Sequence, residues 1–398
     1  MTQKKINITF GIVLFLDFLL LLYTADGLSI SSKEANLYYG DNHNILWYLT
    51  HFSTTIIGQS NIGLRLPFIL FYIGAVILSY LLTDDYFVKP TDRLVSIFIF
   101  MLLPGLNSAA LIVDSSIIVV FCILLYLYLF KLYEKEYYFL LVIFLFIDNS
   151  FAILFLGLFF YSLQKKDNLL LIISLVLFGI SMQMYGFEIG GRPRSYLVET
   201  FGLYASIFSP ILFLYFFYSL YRVAIKWEKD LYWYISFTSL ILSLLFSLRQ
   251  RVNIVDFAPF VVIAIPLMVK LFLHSYRVRL KIFRAKHWLF IKLILSTLLL
   301  NYIILLFNKP IYFILDNGTK HFAYKYHNIK ELSAILKDNK IYKVKANTED
   351  LQNRLKFYGI LFGDKYYITD KKPNKYLKEI DIKYYTRVIQ RYYLVLLN

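Results

Sequence analysis

The sequence predicts an α-helical polytopic membrane protein of about eleven transmembrane helices with a small C-terminal α/β domain, and three observations carry that prediction. Of 398 residues, 59% are apolar and 19% aromatic while only 17% are charged, more apolar side chain than a soluble chain of this length needs. The apolar residues are gathered into about eleven runs separated by short charged connections. From about Lys309 onward the composition turns polar and rich in Lys and Tyr, with no run long enough to cross a bilayer.

The first run, Ile6 to Tyr23, follows Lys4 and Lys5 and has no small-x-small cleavage site behind it, so it reads as a retained first helix rather than a signal peptide. Further runs lie at about 64–82, 94–112, 115–131, 137–148, 151–163, 168–184, 201–222, 231–248, 254–273 and 288–307. The two beside Asp148 are short for a hydrocarbon core about 30 Å thick. This division gives a transmembrane domain over 1–308, with a long first outer loop at 24–63, and a separate domain over 309–398.

Orientation follows from the positive charges. With Lys4 and Lys5 inside and sides alternating, the inside connections hold Lys4, Lys5, Lys89, Arg93, Lys131, Lys135, Lys165, Lys166, Arg222, Lys226, Lys229, Arg277, Arg279, Lys281, Arg284 and Lys286. The outside connections hold only Lys33, Arg65, Arg192, Arg194, Arg249 and Arg251. That asymmetry is the positive-inside bias. An odd number of crossings then puts the C-terminal domain on the extracytoplasmic side. The net charge of +16 is explained by these loops; no zinc-finger spacing or basic amphipathic surface points to nucleic acid. The single cysteine, Cys122, lies in an apolar run and reads as packing.

In the tail, helical periodicity at 328–337 and 348–358 and strand-like alternation at 340–345 and 365–369 predict a mixed α/β fold. Asp17 falls inside the first run, where a carboxylate costs about 2.5–3.5 kcal/mol on insertion scales, so it is expected to face the bundle interior, either protonated or hydrogen-bonded.

Soluble-enzyme motifs are absent: there is no Gly-x-Gly-x-x-Gly, no Walker loop, no His-Glu-x-x-His and no Cys pair. That argues against an ATP-driven pump and a structural zinc site. The outer face is where the sequence becomes specific. The first outer loop contains Glu34-Ala35 followed by Tyr38-Tyr39, then Asp41 and His43, then the aromatic stretch Ile45 to Ile57, which is too short to span and should lie in the interface. The loop closes on Gly58-Gln59-Ser60, with Leu64-Arg65-Leu66-Pro67 entering the second run.

These blocks, with Pro104 followed by Asp114, resemble the GT-C glycosyltransferases of the protein O-mannosyltransferase and aminoarabinose-transferase type. The resemblance covers residues 1–130 in motif detail and the remainder in architecture, and Gly58 to Pro67 is its most specific part. It implies a GT-C-like transmembrane domain and transfer of a sugar from a polyprenyl-phosphate carrier to an acceptor at the extracytoplasmic face, with an acid of the first outer loop as base. A positioned base is worth roughly a hundredfold to ten-thousandfold in rate, and Arg or Lys can hold the carrier phosphate. Where the family shows Asp-Glu, this sequence has Lys33-Glu34.

The resemblance makes Glu34 and Asp114 the candidate catalytic carboxylates. Glu34 read alone is an ordinary loop acid, and Asp114 read alone is a helix cap for the run that follows. Lys33, Asp41, His43, Arg192, Arg194, Arg249 and Arg251 are the candidate substrate ligands. The arginines stand out because outside positive charge runs against the insertion bias. Arg65 is expected to pair with a loop acid. No metal ligands are assigned and the residues imply no definite cofactor, although a divalent metal is compatible with them. The expected partners are a polyprenyl-phosphate-linked sugar, a lipid, glycan or protein acceptor, and membrane lipids. The leading expectation is therefore a multi-pass glycosyltransferase of a bacterial inner or plasma membrane, serving the cell envelope through lipopolysaccharide or protein glycosylation. A lipid-linked solute transporter or flippase, and an inactive GT-C-derived protein, are the alternatives.

Overall fold

The computed structural model describes residues 3–41, 43–133, 136–186, 189–190 (backbone only), 192–315, 317–385 and 387–397. Lys135, one of the inside charges, lies outside the described residues. Contacts divide the chain into two compact units, residues 1–18 with 70–302 and residues 19–69 with 303–398. The first outer loop and the C-terminal segment thus belong to the same unit.

In chain order the helices are α1 (Gln3–Gly27), α2 (Ser32–Tyr39), α3 (Ile45–Ile57), α4 (Asn61–Leu82), α5 (Pro90–Met101), α6 (Pro104–Leu111), α7 (Ser116–Tyr133), α8 (Tyr138–Leu145), α9 (Phe151–Lys165) and α10 (Asn168–Met184). The strand β1 (Ile189–Gly190) precedes α11 (Leu197–Phe208), α12 (Pro210–Lys226) and α13 (Leu231–Ser247). The strand β2 (Arg251–Val252) precedes α14 (Ile254–Val262), α15 (Ile265–Val278) and α16 (Lys281–Leu306).

Among the described residues, α1, α4, α7 and α16 are long and apolar enough to cross a bilayer singly. The pairs α5–α6, α11–α12 and α14–α15 pass the same test jointly but bend by 56°, 104° and 44°, which gives seven spans if each pair counts as one. Every run read from the sequence contains helix, yet those at 94–112, 137–148, 201–222 and 254–273 do not form single straight helices. The run at 137–148 holds only the eight residues of α8, about 12 Å of helix at 1.5 Å per residue. The run at 201–222 is the sharply bent α11–α12 pair.

Local chemistry explains the breaks. Pro104 and Pro210 open α6 and α12, where the missing proline N–H is harmless and the residue before is barred from the α region. Leu103 accordingly is extended, at φ −62° and ψ 123°, whereas Ser209 sits at φ +75°, which the proline rule does not account for. At the α5–α6 break Asn107 Nδ2 donates to the carbonyls of Met101 and Leu103 at 2.6 and 2.9 Å, adding a side-chain donor at the end of α5, where carbonyls run out of intrahelical partners. Asp17 is buried in this unit and accepts from the hydroxyls of Tyr72 and Tyr302 at 2.6 and 2.5 Å. A carboxylate placed in a helical bundle is thereby given partners rather than left unsatisfied.

The C-terminal segment carries α17 (Ile329–Asp338), β3 (Lys345–Ala346), α18 (Glu349–Phe357), β4 (Tyr366–Thr369), β5 (Lys378–Tyr384) and β6 (Arg387–Leu396). The sheet order is β3-β4-β6-β5, with β3 parallel to β4 and the other two pairings antiparallel. Ile329, Leu332 and Leu336, spaced for one helix face, pack with Leu351 and Leu355 of α18 and Ile380, Ile382 and Leu394 of the sheet. Both predicted helices and the strand at 365–369 are present. The predicted strand at 340–345 is mostly a loop: Lys343 makes a single parallel bridge to Leu361, and pairing proper starts at Lys345.

Candidate functional site

Ser31, Ser32, Lys33 and Glu34 form a capping box at the start of α2. The Glu34 N–H donates to Ser31 Oγ at 3.3 Å, and the Ser31 N–H donates to Glu34 Oε2 at 2.9 Å. Arg65 of α4 reaches the same carboxylate. Its Nη2 donates to Glu34 Oε1 and Oε2 at 3.2 and 2.9 Å and to the Ser29 carbonyl at 3.1 Å, while Nη1 donates to the Leu28 carbonyl at 2.9 Å. The side chains are 0% and 1% exposed. The acid that Arg65 was expected to find is therefore Glu34, and both of its oxygens are engaged inside the protein.

Lys33, Asp41 and His43 are exposed on the same loop. His43 packs edge-on to Trp47 with ring centres 4.1 Å apart, and His51 stacks between Tyr38 and Trp47 at 4.0 Å from each. The helix α3 buries Thr50, Ser53 and Thr54 and exposes Tyr48, Phe52 and Ile56. An outward apolar face is what an interfacial helix presents to lipid.

Residues far along the chain complete this loop. Arg354 Nε donates to the Ile30 carbonyl at 2.9 Å. The Tyr358 hydroxyl accepts from the Ile30 N–H at 2.9 Å and donates to Asn61. Lys330 Nζ reaches the Asp26 carboxylate at 2.9 Å. No sequence pattern announces these contacts, which join positions about 300 apart. The capping-box spacing at Ser31 to Glu34 is a local signal that identifies the structural task of Glu34.

Asp114 precedes α7 and accepts from the Ser116 N–H and Oγ at 3.2 and 2.8 Å, so it is the helix cap that its spacing suggests. It is half-buried. The four candidate arginines are brought together by backbone pairing. The strands β1 and β2 align Gly190 with Arg251, the Arg194 N–H donates to the Arg249 carbonyl at 3.2 Å, and the Tyr196 N–H donates to the Ser247 carbonyl at 2.7 Å. Arg192, Arg194, Arg249 and Arg251 thus share one loop edge and are all exposed. Arg251 is bridged to Glu199 at 2.6 Å, and Arg194 lies over the Tyr196 ring at 4.8 Å.

The unit that holds the first loop also encloses a cavity of about 470 Å³, lined among others by Tyr23, Asp26, Phe307, Lys309, Lys330 and Glu331. Its charges are balanced in pairs: Lys330 with Asp26, and Lys309 with Glu331 at 3.5 Å. Tyr384 donates to Glu331 at 2.7 Å, and burial together with the Glu331 charge pushes the Tyr384 hydroxyl far above its usual range. Among the described residues no group of three His, Cys, Asp or Glu side chains is placed to hold a metal ion.

Behind this cavity His327 is buried, with Nδ1 2.8 Å from the Tyr312 hydroxyl. Burial, then the His321 and Lys309 charges, push its pKa down to about 3, against about 6.5 in an unfolded chain. A neutral buried imidazole contributes fully above pH 6.5 and loses that contribution as pH falls toward 3. From pH 7 to pH 5 this segment should lose about 2 kcal/mol of stability, at 1.36 kcal/mol per unit below 6.5. Hydrogen exchange of 329–338 at the two pH values reads the loss, and His327→Gln should flatten it. An unchanged pH response in that variant would assign the effect to other groups.

No protein-family model matches the sequence, and no curated protein sequence matches it. A solved structure does match: the crystal structure of ArnT from Cupriavidus metallidurans bound to undecaprenyl phosphate aligns over 99% of this chain and 98% of that one, with a TM-score of 0.55 and 10% identity. The chain has the ArnT fold. The resemblance read from residues 1–130 thereby extends to the architecture of the whole length, and the apolar helices identify an integral membrane protein. At 10% identity the likeness is one of fold.

Proposed function

We propose that this protein is a membrane glycosyltransferase that passes a sugar from a polyprenyl-phosphate carrier to a lipid, glycan or protein acceptor at the extracytoplasmic face. The end-to-end likeness to an ArnT structure holding undecaprenyl phosphate carries this reading. In it Asp114 and Glu34 are the candidate acids. The shared edge of Arg192, Arg194, Arg249 and Arg251 holds the carrier phosphate, with Lys33, Asp41 and His43 as further contacts on the first loop. Purified full-length protein, a labelled polyprenyl-phosphate sugar and a membrane acceptor extract should yield labelled product.

One observation favours a second reading. Lysine stands at position 33 where the resembled family has an acid, and the neighbouring Glu34 is committed to Arg65. A protein that binds the carrier without transferring its sugar has that layout. Saturable carrier binding without product would select it, and absence of both would remove both readings.

Arg249→Ala and Arg251→Ala should each weaken donor binding, because a guanidinium grips phosphate through paired charge-assisted hydrogen bonds. Lys at either position should rescue only in part. The bridge to Glu199 already occupies Arg251, so the larger loss is expected at Arg249. Unchanged donor affinity in both variants would shift the phosphate toward Lys33.

The domain 309–398 is placed outside. A cysteine introduced at Lys372, which is exposed, should react with an impermeant maleimide in intact cells, and Cys122 is buried and gives little background. Labelling only after permeabilisation would reverse the orientation.

A further inference from the structure

Where α12, the end of α15 and the start of α16 meet, they line an open cavity of about 340 Å³ that the transfer reaction does not use. Arg222 and Tyr218 of α12, Ser275 of α15, Arg279 just beyond it, and Lys286 and His287 of α16 line it. We propose that this cavity binds the phosphate of an anionic phospholipid headgroup.

The cations of this corner divide into those with a structural task and those without. Arg277 is paired with Asp92. Arg284 donates to the carbonyls of Arg277 and Arg279 at 3.0 and 2.9 Å and so fastens the α15–α16 turn. Of the cations lining the cavity, Arg222, Arg279 and Lys286 remain. Among the described residues none has a carboxylate partner, and no carboxylate lines the cavity, unlike the 470 Å³ cavity with its paired charges. Three like charges around one space repel one another, and an anion in that space relieves the repulsion. The Tyr218 hydroxyl accepts from Arg222 Nη1 at 2.9 Å and steadies the guanidinium. His287 adds a buried Nε2 that has no hydrogen-bond partner among the described residues.

A lipid fits this chemistry better than free phosphate. The same helices expose Tyr221, Ile282, Phe283 and Leu289, side chains suited to acyl tails. The volume lies in the ordinary range for small-ligand sites. The cations also belong to connections that the charge bias puts inside, where basic pockets between spanning helices recognise anionic headgroups. The site is independent of the outer-face chemistry.

The test titrates purified full-length protein in neutral detergent with dioctanoyl phosphatidylglycerol and with dioctanoyl phosphatidylcholine, read by native mass spectrometry. The anionic lipid should bind at least about tenfold more tightly. Arg279→Gln with Lys286→Gln should remove that preference, the single Lys286→Gln variant should show a smaller loss of the same sign, and Lys226→Gln, at the same helix end but outside the lining, should change nothing. Equal affinity for the two lipids, or an unaltered preference in the double variant, overturns the proposal. Millimolar inorganic phosphate filling the site in a protein that shows no lipid preference would assign it to free phosphate and overturn it equally.

Discussion

Arg65→Met is expected to lower the stability of the protein by about 3–5 kcal/mol, the usual cost of removing one member of a buried ion pair. The guanidinium holds both Glu34 oxygens and the carbonyls of Leu28 and Ser29, with no exposure of its own. Methionine fills similar volume but supplies no donor, so a buried carboxylate and two buried carbonyls lose their partner together. Glu34→Gln should cost less, because the amide still offers an oxygen to the guanidinium and to Ser31. Replacing both residues by apolar side chains should cost less than the sum of the single changes. Denaturation of the purified protein from detergent micelles supplies the free energies. A loss below about 1 kcal/mol for Arg65→Met would mean that the pair contributes no more than an exposed bridge.

Asp114→Asn should lower sugar transfer by about a hundredfold to ten-thousandfold, the contribution of a positioned general base or acid, while leaving the fold intact. The separation is possible because asparagine caps a helix as well as aspartate does: the Oδ1 that accepts from Ser116 survives the change, and only the charge and basicity are lost. Donor affinity measured in parallel should stay the same. Full transfer by the variant would remove Asp114 from the chemistry. Glu34→Gln needs a second readout, since Glu34 also organises the loop. A rate loss with an unchanged unfolding midpoint would mark it as the base, and a rate loss that follows the midpoint would mark it as structural.

Much of the fold was legible because bilayer insertion is read from local composition. Apolar runs became helices, and the amphipathic helices at 329–338 and 349–357 followed from their spacing. The length of a crossing was less legible. Pro104 and Pro210 each end one helix and begin another within what hydropathy reads as a continuous run, because hydropathy is blind to backbone geometry. The hairpin β5–β6 is poorly announced by the sequence, although Ile380, Ile382 and Tyr384 alternate inward. Its turn passes through Tyr385 at φ +57°, without the Gly or Asn that usually announces a hairpin.

The sequence by itself determined that this chain dissolves in a bilayer, which segments are helical, that its tail forms a small α/β fold, and which loop carries the family-like motif. These properties depend on residues within a turn or two of one another, where apolar periodicity and capping act. Only the tertiary structure decided that Arg65 pairs with Glu34, that Arg354 and Tyr358 hold the backbone at Ile30, and that Arg192, Arg194, Arg249 and Arg251 lie along one edge. Such contacts close long loops, and long-range pairing obeys no spacing rule: a buried charge must find a partner, but its position along the chain is set by how the helices pack.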